Sequence, residues 1–208
     1  MQLSIDMTIQ RGFTQHPVQR ALYSLWQARC RAGQISLWPS LPCHLLGPFL
    51  PDTFVLSLSD TNRCVIRIAS AHVTQLLGDN CRGQTLDRLC APAIKSRFER
   101  LVLQVFARQS PMSVILLSQR LCQDAVLTVL PLLDRQRQCR RALVTLDSAG
   151  GQFCDEDVQH KAPFSELGPV YYARCPCPRP VELEPLVLCI GGKKGAQNPA
   201  RPYRKLVG

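Results

Sequence analysis

The chain reads as an α+β domain: an amphipathic helix, two strands, a helical segment and then three more strands, followed by a stretch of different composition. Three observations carry this. Six apolar residues repeat at helical spacing between Pro92 and Gln109, short strands flank that helix, and prolines punctuate the N-terminal connector while prolines, glycines and runs of charge mark the C-terminal stretch.

The first helix is expected over Pro17 to Ala32, with proline in its first turn, Val18, Leu22, Leu25 and Trp26 on one stripe, and Gly33 beyond its end. The connector from Trp38 to Pro51 cannot be regular helix, because Pro39, Pro42, Pro48 and Pro51 lack amide donors. Strands follow at Thr53 to Ser59 and Cys64 to Ala69, joined by the turn-forming Asp60-Thr61-Asn62. In the second strand Cys64, Ile66 and Ile68 share one side while Val65 and Arg67 take the other.

Ser70 can cap a short helix carrying Val73, Leu76 and Leu77 on one face, with Gly78 at its end and Gly83 opening the next turn. In the long helix Ile94, Phe98, Leu101, Val102, Val105 and Phe106 form the apolar face, so it must pack on a sheet. Three strands then follow at Ser113 to Ser118, Ala125 to Leu133 and Cys139 to Leu146, and Pro131 restricts its strand to an edge or a bulge. The organisation is therefore an N-terminal helix and proline-rich connector over residues 1–52, a domain over 53–147, and a low-order tail with a basic end over 148–208. Within that tail a local strand is expected at Pro185 to Ile190.

The 208 residues are 46% hydrophobic, enough for a buried core, and carry a formal charge of +10. No stretch approaches the roughly 18 apolar residues of a membrane span, and Met1 to Phe13 has no signal-peptide pattern, so a cytoplasmic protein is expected. Eleven scattered cysteines without a secretory signal read as reduced thiols.

Two strands, helices and three strands is the element order of the PAS domain, and the chain resembles short single-domain PAS-like proteins of alphaproteobacteria. The resemblance covers Leu22 to Leu146 and rests on Leu25-Trp26, Gly33, Leu50-Pro51, Arg67-Ile68-Ala69, Leu77-Gly78, Gly83, Leu130-Pro131-Leu132 and Arg141-Ala142-Leu143, with Ser70 where the family commonly has glycine. It implies a five-stranded antiparallel sheet with helices on one side, enclosing a small cavity. It also implies a sensory or regulatory module with no attached output domain, and names no ligand.

Under that reading Ile66, Ile68, Val73, Leu77, Phe98, Leu116, Leu127 and Val144 line the cavity or the core around it. No catalytic residues and no metal site are assigned, and the cofactor is left unknown. Gly78-Asp79-Asn80-Cys81-Arg82 begins like a flavin-photoreceptor motif, but Gly83-Gln84-Thr85 departs from it and the strand asparagines that would hold a flavin are missing. His72 as a haem ligand is weighed against a polar residue facing water. Cys154, Cys175, Cys177 and Cys189 lack the paired spacing of structural zinc sites.

No Walker loop, HExxH or Gly-x-Ser-x-Gly occurs, so the expectation is a protein that is not an enzyme and acts through a regulatory protein partner. A homodimer through the N-terminal helix is a further expectation, since its Leu22, Leu25 and Trp26 face needs either the sheet or another copy. The alternatives are a ligand-free protein-binding adaptor and a basic nucleic-acid-binding protein. The second is disfavoured because Arg140-Arg141 and Lys193 to Lys205 come without a recognition helix or a stacking pattern.

Overall fold

The computed structural model describes residues 17–30, 35–38, 46–77, 81–118, 124–148 and 164–173, all within one compact unit, Met1–Pro178. Helix α1 spans Pro17–Arg29, and a 3-10 turn at Gly47–Asp52 leads into the hairpin β1 (Thr53–Leu58) and β2 (Cys64–Ile68). Helix α2 (Ala71–Leu77), a 3-10 turn (Leu86–Leu89) and helix α3 (Pro92–Arg108) precede β3 (Met112–Leu117), β4 (Ala125–Leu133) and β5 (Cys139–Ser148). Ser70 caps α2 as expected, its Oγ accepting from the Val73 amide at 3.4 Å. Helix α3 closes at Gln109 in the left-handed conformation, where its amide returns to the Val105 carbonyl.

The sheet is antiparallel throughout in the order β2-β1-β5-β4-β3-β6. It has six strands where five were expected. The sixth, β6 (Glu166–Tyr172), comes from the segment read as a low-order tail and pairs with β3. The sequence hides it because Gly168 and Pro169 interrupt the alternation that marks a strand. The interruption has a structural role, since a Cβ at Gly168 would stand 3.1 Å from the Ile115 Cβ, where the β3–β6 register shifts. Tyr172 ties β6 to α3 by donating to the Gln104 Oε1 at 3.0 Å. Gly78 and the strand expected at Pro185 to Ile190 lie outside the described residues.

Helices cover both faces of the sheet, α2 and α3 on one and the N-terminal amphipathic helix α1 on the other. Alternation along the central strands sends Phe54, Leu56, Leu127, Val129, Val144 and Leu146 to an inner core beneath α2 and α3. It sends Val55, Leu130, Leu132 and Leu143 to an outer core beneath α1. The stripe on α1 finds its partner there: Leu22 and Trp26 are fully buried against these strands. The Trp26 indole N–H donates to the Pro131 carbonyl at 2.7 Å and the ring stacks on Tyr23. Pro131 is tolerated in a central strand because β3 pairs with β4 only from Ala125 to Val129, so β3 requires no amide from it.

A polar row crosses the outer face in register: Ser113, Thr128, Thr145 and Thr53, one from each of four adjacent strands and all buried. Thr128 bonds Ser113 at 3.3 Å, whereas the Thr145 hydroxyl has no partner. From α1, the buried Gln19 donates to the Val126 carbonyl at 3.2 Å and leaves its Oε1 without a donor. No helix among the described residues is long and apolar enough to cross a membrane.

Candidate functional site

The inner core is the candidate site. Its floor is the inner face of β1, β5, β4 and β3, and its roof is α2, the 3-10 turn and α3. Ile66, Val73, Phe98, Leu116, Leu127 and Val144 meet there, each fully buried, and Leu77 packs at its margin. Burying side chains of this size stabilises the fold by about 1.5–3 kcal/mol each before ordering entropy is counted.

Ile68 does not join them and stands 52% exposed. The reason is a bulge: Leu56 faces Ile66 and Val55 faces Ile68, so Arg67 is an extra residue and the parity of the strand reverses across it. Ile68 thereby falls on the outer side of an edge strand.

Several members of this core were not singled out from sequence. Phe54 and Leu56 could have been found by continuing the alternation of β1, whereas Phe164 lies where the sequence offers no periodic signal. Its backbone seals one side of the core, accepting from Ala91 at 2.7 Å and donating to the Leu89 carbonyl at 3.1 Å. Gly83, at φ +85°, lets the chain fold back on β2, so that Ile66 donates to Gln84 and accepts from Gly83.

A charged network fastens the roof to the hairpin. Asp87, buried in the 3-10 turn, receives Lys95 at 3.1 Å and Arg63 at 3.5 Å through Oδ2, and Arg63 also reaches Glu99 at 3.1 Å. Burial opposes ionisation of Asp87, but hydrogen bonds from Thr85 and Lys95 and the charges of Lys95 and Arg63 outweigh it and hold the carboxyl below its ordinary range. Nearby, burial, reinforced by Glu99 and Asp87, pushes the Cys64 thiol up to about 12. Burial likewise raises Cys90 to about 12. Both are neutral, inert thiols at physiological pH. Cys81 is buried, with its sulfur 3.7 Å from the Thr74 hydroxyl. Among the described residues no group of three or more His, Cys, Asp or Glu is placed to hold a metal.

No curated protein matches the chain in sequence. Among solved structures, it is similar to VqmA bound to DPO, with 14% identity and a TM-score of 0.39 over 52% of this chain and 57% of that one. It is also similar to the Vibrio cholerae VqmA dimer in the absence of target DNA, with 15% identity and a TM-score of 0.39 over 52% of this chain and 53% of that one. The chain thus spans little more than half the length of the VqmA chains it matches. A family model described as PAS domain matches residues 14–146, which takes in α1, the hairpin, the roof helices and β3 to β5. The match runs from the outer helix through the strands that divide the two cores, and the chain belongs to the PAS domain family.

Proposed function

We propose that this PAS domain is a non-catalytic sensory or regulatory module acting through ligand- or partner-dependent protein interaction. The observation that supports the reading is the division of β4 and β5 between two cores. Val129 and Val144 face inward, while their neighbours Leu130 and Leu143 face the helix on the other side. A change of packing under α2 and α3 therefore acts, one residue away, on the seat of α1. A ligand drives such a change only if it binds one arrangement better than the other. In the state described, Leu22 and Trp26 rest on the sheet, so a homodimer would form through the remaining face of α1 or after its release.

The test begins with an absorption spectrum of freshly purified full-length protein and mass spectrometry of whatever it releases on denaturation. Hydrogen exchange over residues 17–29 is then followed before and after the released molecule is removed. The expected result is a small molecule at near-equal molarity whose removal alters exchange in α1. An empty protein in which Val144→Ala also leaves that exchange unchanged would sink the coupled-face reading. The ligand-free adaptor finds its support in the complete burial of Ile66, Phe98, Leu116, Leu127 and Val144, as in a filled core.

A further inference from the structure

A concave site lies on the outer face of the sheet, away from the inner core. It is a cleft of about 700 Å³ between the end of the β1–β2 hairpin, the β4–β5 turn and Trp38. Four arginines line it, Arg67, Arg135, Arg140 and Arg141, against a single acid, Asp134. That acid is committed to the turn, its Oδ1 accepting from the Gln138 amide at 2.9 Å.

The arginines are brought together by specific features of the fold. The β2 bulge turns Arg67 to the outer face, where its Nε donates to the Ser57 hydroxyl at 2.6 Å and leaves the terminal nitrogens for another acceptor. Arg141 stands between Ser57 and Leu132 in the strand register, and Arg140 pairs with the exposed Asp60. Arg135 and Arg141 have no carboxylate partner among the described residues.

We propose that this cleft binds an organic polyphosphate of the nucleoside di- or triphosphate class. Guanidinium groups match phosphate oxygens in paired hydrogen bonds, and four clustered arginines, of which Arg135 and Arg141 lack a carboxylate partner among the described residues, favour a ligand with several negative charges. Trp38, half-buried against the outer core, also lines the cleft and supplies the aromatic surface that a nucleobase would use. The volume is that of a small-molecule pocket, about 300–1,000 Å³, and the charge is gathered in a concavity, which suits a small ligand better than the continuous backbone of a nucleic acid.

The test uses the full chain and four probes: ATP, inorganic triphosphate, adenosine and a DNA duplex. Calorimetric titration is expected to show ATP binding more tightly than triphosphate, no binding of adenosine, and loss of affinity as salt is raised. The double variant Arg135→Gln, Arg141→Gln should weaken ATP by about tenfold or more while leaving the urea midpoint in place. Trp38→Leu should bring ATP down to the affinity of triphosphate. The proposal is overturned if ATP fails to bind at about 1 mM, or if the arginine pair can be removed without effect on its affinity. Arginine-dependent binding of duplex DNA that ATP cannot displace would overturn it in favour of nucleic acid. Equal affinity for ATP and triphosphate in the unaltered protein would reject the nucleoside part of the ligand.

Discussion

Replacing Trp26 by phenylalanine probes the shorter of two side-chain bonds, from Trp26 and from Gln19, that fasten α1 to the sheet. The indole is fully buried, and its N–H reaches the buried Pro131 carbonyl at 2.7 Å. Phenylalanine keeps a ring in the outer core but removes the donor, which costs about 1–3 kcal/mol when a buried acceptor loses its partner. With an m-value of about 2–3 kcal/mol per molar urea, a loss near 2 kcal/mol moves the midpoint down by roughly 0.7–1 M. Trp26→Ala, which also empties the space beneath the helix, should cost about 3–5 kcal/mol. Urea unfolding followed by far-ultraviolet circular dichroism gives both values, and hydrogen exchange over residues 17–29 locates the loss. If Trp26→Phe shifts stability by less than about 0.5 kcal/mol and leaves exchange in α1 unchanged, the indole bond does not anchor the helix.

Thr145→Val replaces a buried hydroxyl without a partner by a methyl group, and should be neutral or stabilising by up to about 1–3 kcal/mol. A loss above about 1 kcal/mol in urea unfolding would instead reveal a bound water satisfying the Thr145 hydroxyl. Because the Asp87 carboxyl is held below its ordinary value of 3.8, its stabilising contribution is present above that pH and disappears as pH falls through the lowered native value. Asp87→Asn should therefore flatten the decline of the urea midpoint between about pH 5 and pH 2, and an unchanged profile would contradict the assignment. Cys64 and Cys90, raised to about 12 from 9.0, should resist a thiol reagent in the native state, and the half-buried Cys30 and Cys139 should react before them. The same shift makes stability fall as pH rises above 9.0, where unfolded thiols ionise and these native ones do not.

Local rules sufficed where each element is long and periodic. Five of the six apolar residues that mark α3 are buried in the inner core, with Ile94 half-buried at its margin, and the strands begin and end within one or two residues of the bounds read from sequence. The misplaced residues trace to pairing, which a single sequence does not display. Ile68 follows strict alternation on paper, but a bulge at Arg67 is a property of two strands together. The same bulge aims Arg67 into the outer cleft, so one unforeseen residue both removes a member from the inner site and supplies one to the other. Strand β6 escaped for a related reason: its weak alternation becomes a strand only where β3 offers an unpaired edge and Ile115 needs the space above Gly168.

The manner in which the sheet ends decides what can be added to it. At one margin β6 takes up the hydrogen bonds of β3, and at the other Ile66 is already bonded to Gly83 and Gln84. The long apolar β3 is thereby kept from the margin, and the edge that replaces it, β6, carries Pro169, which has no amide to offer a visiting strand, so growth edge to edge is disfavoured. Shortening the chain before residue 164 would reverse this protection, turning the apolar β3, with Val114 and Leu116, into an open template for another copy.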